Sequence, residues 1–502
     1  MASVLSVLIA VFLLILASFW RVIQRILKFR KYDDKIPGPP THPILGNAQI
    51  FMGKNSEELS QLFQDLASEA REKGNNVLRY RMVDKLYMLP LNGKVAAKLL
   101  ESTTELDKGD EYEFPMAWLG GGVLLEGYGD RWKSHRKMVT PTFHFAKLEN
   151  YLEVFNEKTK ILMECLSKYA DSGDIVNIFP MVKMCTLDTI CRAATGIKVD
   201  AQMNHNHPYV SAVEGFNKLS VRHATDALLQ IPFFFWALGF QKQKDDFLKT
   251  LKGFTNDIIA GRKAAVEKGE IQLETSTKKM NFLDILLSNK EAEVLTDEDL
   301  RLEVDTFLFA GHDTTTVSFC WLIWNLAHNP DIQEKVHQEI IEVFGDDPNE
   351  DVFLEGISKL EYTEKVVKES KRRIPPVPMM SRKLRNELVI DGYTLPPGAN
   401  VSISPLILHS NPDVFQNPDV FDPERFSPEE NSKKSAYDFV PFSAGLRNCV
   451  GQKFAQLNEK VMLVHLIKNF RVEPGIGFSE TKPTLEIISK PSNGIPVKLI
   501  RR

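Results

Sequence analysis

Cysteine is scarce in this chain: five residues in 502, an odd number. Cys165, Cys185, Cys191, Cys320 and Cys449 show neither zinc-type spacing nor a disulfide framework, and the usage is that of a reduced compartment. An excess of one charge is missing too. The formal net charge is −4 and no basic stripe dominates, so nothing points to nucleic acid. No linker divides the chain, so its length, which alone suggests several domains, is read as one large folded body. Long hydrophobic runs are absent with one exception. Met1–Trp20 carries no charge and Leu5–Leu16 is nearly all apolar, and about 20 such residues suffice to span a bilayer. Arg21, Arg25, Lys28, Arg30 and Lys31 follow and place that flank in the cytosol. A basic stretch ahead of the run and a clear cleavage site before Arg21 are lacking as well, which disfavours a cleaved signal peptide. The reading is a transmembrane anchor over 1–20, a basic and Pro-rich hinge over 21–40 containing Pro37-Gly38-Pro39-Pro40, and one globular domain over 41–502.

Within that domain helical periodicity prevails. Ser56–Lys73 reads as a helix, and Val77–Leu91 as a small sheet with a turn signal at Asn92-Gly93. A second strand pair is expected over Leu388–Ser404 around Asp391-Gly392, and a third over Leu485–Leu499 around Asn493-Gly494. The fold class is mostly α, of the α+β kind. Pro115–Trp132 is rich in glycine and proline and reads as a loop, and polar Glu267–Lys279 as a surface loop. Ile231–Phe240 reads IPFFFWALGF, which suits either a core segment or one that dips into a membrane surface. A long helix opens at Leu295–Asp299, where Thr296 and Asp299 are close to a capping box, and runs to about Asn329. Its roughly 45 Å would cross a whole domain.

The chemistry centres on Pro441–Ala455, PFSAGLRNCVGQKFA. Cys449 offers a thiolate to one metal centre. Gly445 and Gly451 flank it and permit close backbone approach and left-handed turns. Arg447 is placed to pair with a carboxylate along the edge of a planar cofactor, and Phe442 to cap the sulfur against water. Helical periodicity follows from Gln452, and a helix N-terminus favours a thiolate. Trp132 and Arg136, spaced i, i+4, are both donors only and suit a carboxylate. In the middle of the long helix, Ala310-Gly311-His312-Asp313-Thr314-Thr315 combines a glycine that costs about 1 kcal/mol with adjacent β-branched threonines.

The spacing of Phe442, Gly445, Arg447, Cys449 and Gly451 resembles the haem-binding loop of the cytochrome P450 monooxygenases, and Ala310–Thr315 resembles their A-G-x-D-T-T motif. Glu369, Arg372, Pro375, Pro378 and Arg382, then Phe421–Phe426, are similar to the family's E-x-x-R, P-x-x-P-x-x-x-R and P-E-R-F segments. Glu303–Thr315 and Arg136–Phe145 look closest to family 4, whose members typically hydroxylate fatty acids. The resemblance implies the P450 fold, with 41–502 as the catalytic domain and 115–132 lining the substrate pocket. It implies haem b ligated by Cys449, Thr314 and Asp313 managing protons, and Trp132, Arg136 and Arg382 as candidates for the haem propionates. Glu369, Arg372 and Arg425 would form a buried structural triad. It also implies an endoplasmic-reticulum membrane protein oxidising a lipophilic substrate, a fatty acid or related lipid by that family likeness. Electrons would come from NADPH through a partner reductase, with cytochrome b5 as a second candidate donor. Three positions depart from the pattern. Ala310 stands where many members carry a glutamate that esterifies the haem, so a non-covalent haem is expected and strict terminal-carbon selectivity is not assured. Leu446 replaces a usual proline. Lys371 and Arg373 replace apolar residues without a reason visible in sequence. Two other readings stay open: a P450-like isomerase or dehydratase, and a non-catalytic haem carrier or sensor.

Overall fold

The computed structural model describes residues 20–143, 145–204, 207–226, 228–270, 280–288 and 295–502. One helix sets the frame. Asp297–Ala327 runs for 31 residues through the interior and is buried on every side rather than along one stripe. Such a helix belongs inside a large domain. Its start is the expected capping box, with the Asp299 N–H donating to Thr296 Oγ1 at 3.1 Å and the Thr296 N–H to Asp299 Oδ2 at 2.9 Å. Helices Phe179–Thr195, Phe240–Glu267, Glu361–Arg373 and Gln452–Asn469 pack around it over one continuous apolar core. The central helix is unbroken through Gly311. A Cβ there would lie 2.6 Å from Ile190 Cδ1, so the glycine lets Phe179–Thr195 pack directly against it.

The strands gather at the periphery. A five-stranded sheet has the order Val77–Met82, Lys85–Pro90, Asn400–Ile403, Met380–Lys383, Asp107–Lys108. The first hairpin turns at Val83-Asp84, not at Asn92-Gly93. Asn92 instead caps the helix Gly93–Leu100, its side chain accepting from the Val95 N–H at 2.9 Å. Asp391-Gly392 does turn a hairpin, between Leu388–Ile390 and Tyr393–Leu395, with both turn residues at positive φ. The last strand, Pro496–Arg501, pairs with Phe470–Pro474 and Ile175–Asn177 rather than with the segment after Leu485. Asn493-Gly494 lies before that strand, where the Asn177 side chain accepts from the Ile495 N–H at 2.9 Å.

Residues 1–19 of the expected anchor lie outside the described residues, as does most of the polar loop 267–279. Among the described residues no helix is long and apolar enough to cross a membrane. Pro37–Pro40 does not stand free of the globule. The Arg79 N–H donates to the Pro37 carbonyl at 2.7 Å, and Asn47 Nδ2 to that of Pro40 at 2.8 Å. The aromatic run 231–240 is largely surface: Phe235 is buried, while Phe233 and Trp236 are 64% and 67% exposed.

Candidate active site

A cavity of about 480 Å³ separates the central helix from the cysteine loop. Ala310, Gly311 and Thr314 line it from one side, and Phe442, Arg447, Cys449 and Gly451 from the other. The accessible surface of Cys449 belongs to this cavity, since protein otherwise encloses the thiol. Burial pushes the thiol pKa up, while the Gly451 N–H and the Arg136 charge pull it down. The Cys449 N–H donates to the Phe442 carbonyl at 2.9 Å and closes the loop. Gly445 has φ +67°, and a Cβ there would lie 2.0 Å from the Leu100 carbonyl oxygen, so it fastens the loop to helix Gly93–Leu100 without lining the cavity. Gly451 is not left-handed, contrary to the sequence reading. It lines the cavity, and a Cβ would meet open space there, leaving room for a group to lie against the loop.

Cations collect at one edge. Arg447 donates to the carbonyls of Leu106 and Glu126 at 3.0 and 2.6 Å, and its guanidinium lies 4.2 Å from the Trp132 ring centre. Trp132 thus stacks on Arg447 and not on Arg136, whose Nη2 donates to Asn448 Oδ1 at 2.6 Å. The buried Trp132 Nε1–H finds no acceptor among the described residues. Lys108, unremarked in the sequence, lines the same edge and is the cross-strand partner of Arg382. Like charges so opposed are destabilising. Burial first, then Arg447 and Arg382, lower the Lys108 pKa to about 7, and burial brings Arg382 and Arg447 down to about 10. Arg382 is off the cavity wall, donating to the Leu99 carbonyl at 3.0 Å.

Asp313 also faces away from the cavity. It is wholly buried, 3.3 Å from Lys183 Nζ, with Asn217 donating to it at 3.3 Å. Burial opposes its ionisation, but Lys183 and other cations hold its pKa down to about 2. Thr314 is on the cavity side, its hydroxyl donating to the Ala310 carbonyl at 2.7 Å. A further buried pair escaped the sequence reading: Glu303 Oε1 meets His135 Nδ1 at 2.7 Å and the Val123 N–H at 2.9 Å, joining the central helix to the cavity loop. No local motif marks such pairs, because their members are distant in the chain.

The scaffold behind the cysteine loop is ionic. Arg372 donates to both oxygens of Glu369 at 2.7 and 2.8 Å, and Arg425 Nε approaches Glu369 at 3.5 Å. Arg372 also donates to the carbonyls of His409 and Pro418 at 3.0 and 2.6 Å, which ties the segment before the loop to helix Glu361–Arg373. The two unexplained cations now have partners. Lys371 pairs with buried Glu459, which accepts from Ser318 Oγ at 2.6 Å. Arg373 lies 4.2 Å from the Phe478 ring centre.

Haem fits this residue set. Its iron suits a lone thiolate, its two carboxylates suit an orphan indole donor beside mutually repelling cations, and its plane suits the space over Gly451. The fold and site therefore define a haem-thiolate enzyme. The cytochrome P450 family model matches residues 36–499. Cytochrome P450 4V2 of Rattus norvegicus is 36% identical over 505 residues, spanning 96% of this chain and 93% of the relative. The human 4V2 protein is 36% identical over 497 residues, with 96% and 93% covered. Cytochrome P450 4c3 of Drosophila melanogaster is 34% identical over 488 residues, with 94% and 90% covered. The chain belongs to the cytochrome P450 family, within family 4, and is a P450 monooxygenase.

Proposed function

We propose that this monooxygenase hydroxylates a lipid with a long apolar chain, taking electrons from NADPH through a partner reductase. The observation that carries the reading is the cavity, where Phe51, Phe63, Leu119, Phe309 and Met379 extend an apolar wall to Cys449 and Thr314. Bound at Cys449, haem supplies the iron at which dioxygen is activated. The chain supplies the rest. The N-terminus of helix Gln452–Asn469 and the Gly451 N–H favour the thiolate. Trp132, Arg136, Arg447 and Lys108 hold the carboxylates, with Arg382 adding charge from behind. Thr314 holds a proton at the cavity wall. Asp313, Lys183 and Glu214 form a polar file from the surface that ends one residue away, with Lys183 Nζ 2.6 Å from Glu214.

Arg131, Lys133 and Lys137 stand exposed on the helix that carries Trp132 and Arg136, which supports docking of an acidic reductase surface there. The family's membrane association supports the reading of 1–20 as an endoplasmic-reticulum anchor and 21–40 as its connection to a cytosolic domain. Exposed Phe233 and Trp236 support a second contact with the bilayer. The first test is the difference spectrum of dithionite-reduced protein with carbon monoxide. A strongly red-shifted Soret band, lost in Cys449→Ala, is expected, and a band typical of histidine-ligated haem would overturn the site. A panel of fatty acids, steroids and foreign compounds with reductase and NADPH then tests substrate. Turnover of steroids or foreign compounds alone would defeat the lipid-chain reading.

A further inference from the structure

Two acids on one face of the central helix reach the helix that carries Trp132 and Arg136. Asp299 and Glu303, spaced i, i+4, meet Arg131 and His135, spaced likewise. Arg131 Nη2 donates to Asp299 Oδ1 at 2.6 Å, and His135 Nδ1 lies 2.7 Å from Glu303 Oε1. Trp132 and Arg136 occupy the neighbouring face of helix Asp130–Val139 and line the cavity. The Arg131 pair keeps contact with solvent, whereas Glu303 is wholly buried and His135 nearly so. The same Glu303 oxygen accepts from the Val123 N–H at 2.9 Å. Val123 belongs to the loop that walls the cavity with Leu119, Leu124 and Leu125. That loop lies close against the central helix, since a Cβ at Gly122 would stand 2.3 Å from Thr306 Oγ1 and 2.7 Å from the Leu302 carbonyl oxygen. The loop in turn receives Arg447, which donates to the carbonyls of Val123 and Glu126 at 3.3 and 2.6 Å.

From Gly120 to Gly129 the backbone makes turns and no strand pairing, so its position depends on such anchors. A buried N–H needs an acceptor, and a carboxylate makes a stronger one than a neutral oxygen. As a source of stability the carboxylate is a poor choice. Its second oxygen has no hydrogen-bond partner among the described residues, and apolar side chains often replace a buried polar pair without loss. What Glu303 does is tie three parts to one point: the central helix, the cavity loop and helix Asp130–Val139. We infer that Glu303 is a positioning residue for the haem edge, setting Arg447 through Val123 and the helix that presents Trp132 through His135. Glu303 itself is not part of the cavity wall. The inference rests on the reading of that edge as the haem-carboxylate site and adds the residue that holds it in place.

Haem release from the loaded full chain to excess apomyoglobin reads the edge without turnover. The paired change Glu303→Leu with His135→Leu keeps the contact apolar and leaves no unpaired charge, but it removes the acceptor of the Val123 N–H. It should speed release about tenfold, the scale of one buried hydrogen bond left unmade. Glu303→Gln keeps an acceptor at the same reach and should stay within about twofold of the wild type. Glu303→Asp keeps the charge but shortens the reach, and should release haem faster than Glu303→Gln. Arg447→Gln alone should also speed release. Adding the paired change to Arg447→Gln should then accelerate release by no more than about threefold, because part of the Glu303 effect passes through Arg447; a contact that merely stabilises the fold gives its full factor in both backgrounds. Release unchanged in the paired variant, its full factor on top of Arg447→Gln, or Glu303→Gln as fast as the pair would overturn the inference. If the paired variant yields no haem-loaded protein, the comparison of Glu303→Asp with Glu303→Gln decides, equal rates counting against. If Arg447→Gln alone leaves release unchanged, the reading of the edge fails, and the inference falls with it.

Discussion

Lys108 carries a pH signature that follows from its neighbours. Burial, Arg447 and Arg382 outweigh Glu111 and lower its pKa from 10.5 to about 7. Across that window the unfolded chain binds more protons than the folded one, so stability of the haem-free protein rises with pH. Carboxylates brought by haem restore the lysine charge, so binding above about pH 7 takes up a proton. Because the Cys449 thiol gives up a proton on binding in both proteins, the Lys108 contribution is read as a ratio: haem affinity of the wild type relative to Lys108→Gln should fall about tenfold per pH unit from about pH 7 upward and be constant below it. Haem titrations of the two apoproteins across pH check the ratio. At Ala310 the expectation is qualitative. A methyl group on the cavity wall forms no ester, so acidified organic solvent should extract all the haem, whereas Ala310→Glu should leave a bound fraction. Cys449 and Arg447 are legible because their spacing is local. Lys108 is not, because it lies on a two-residue strand and meets Arg382 only through sheet pairing.

Between elements, the pair Lys371–Glu459 joins helix Glu361–Arg373 to helix Gln452–Asn469, with Ser318 of the central helix as third party. Removing one partner leaves a buried charge without its counter-ion. Lys371→Met should cost about 3–5 kcal/mol, and Lys371→Met combined with Glu459→Leu should be near neutral. Urea unfolding of the haem-loaded single and double variants checks both values. The triad around Glu369 was legible from motif spacing, since Glu369 and Arg372 share one helical turn. The Lys371 pairing was not, because Glu459 belongs to another helix. Turn signals were similarly divided. Asp391-Gly392 acts as its dipeptide implies, whereas Asn92 finds a helix N-terminus to cap and leaves the hairpin turn to Val83-Asp84.

Over the whole molecule, exposed apolar surface is concentrated in a few places. Ile231, Phe233, Trp236 and Leu238 form one patch on and beside helix Pro232–Ala237. Monomeric proteins rarely expose such clusters without an interaction to cover them. Vesicles containing brominated lipid should quench Trp236, read as the difference between wild type and Trp236→Phe. No difference would remove this patch from the membrane reading.

Sequence alone determined the cysteine loop, the capped central helix and the mostly helical class, because each is written in short-range spacing: a cysteine with its flanking turn residues, a capping box, a helical period. The family likeness rested on the same local patterns. Tertiary structure alone decided which cations share an edge and that Asp313 turns from the cavity while Thr314 faces it. Those facts depend on how segments far apart in the chain meet inside a close-packed interior, where burial and neighbouring charge, rather than residue type, set what each side chain does.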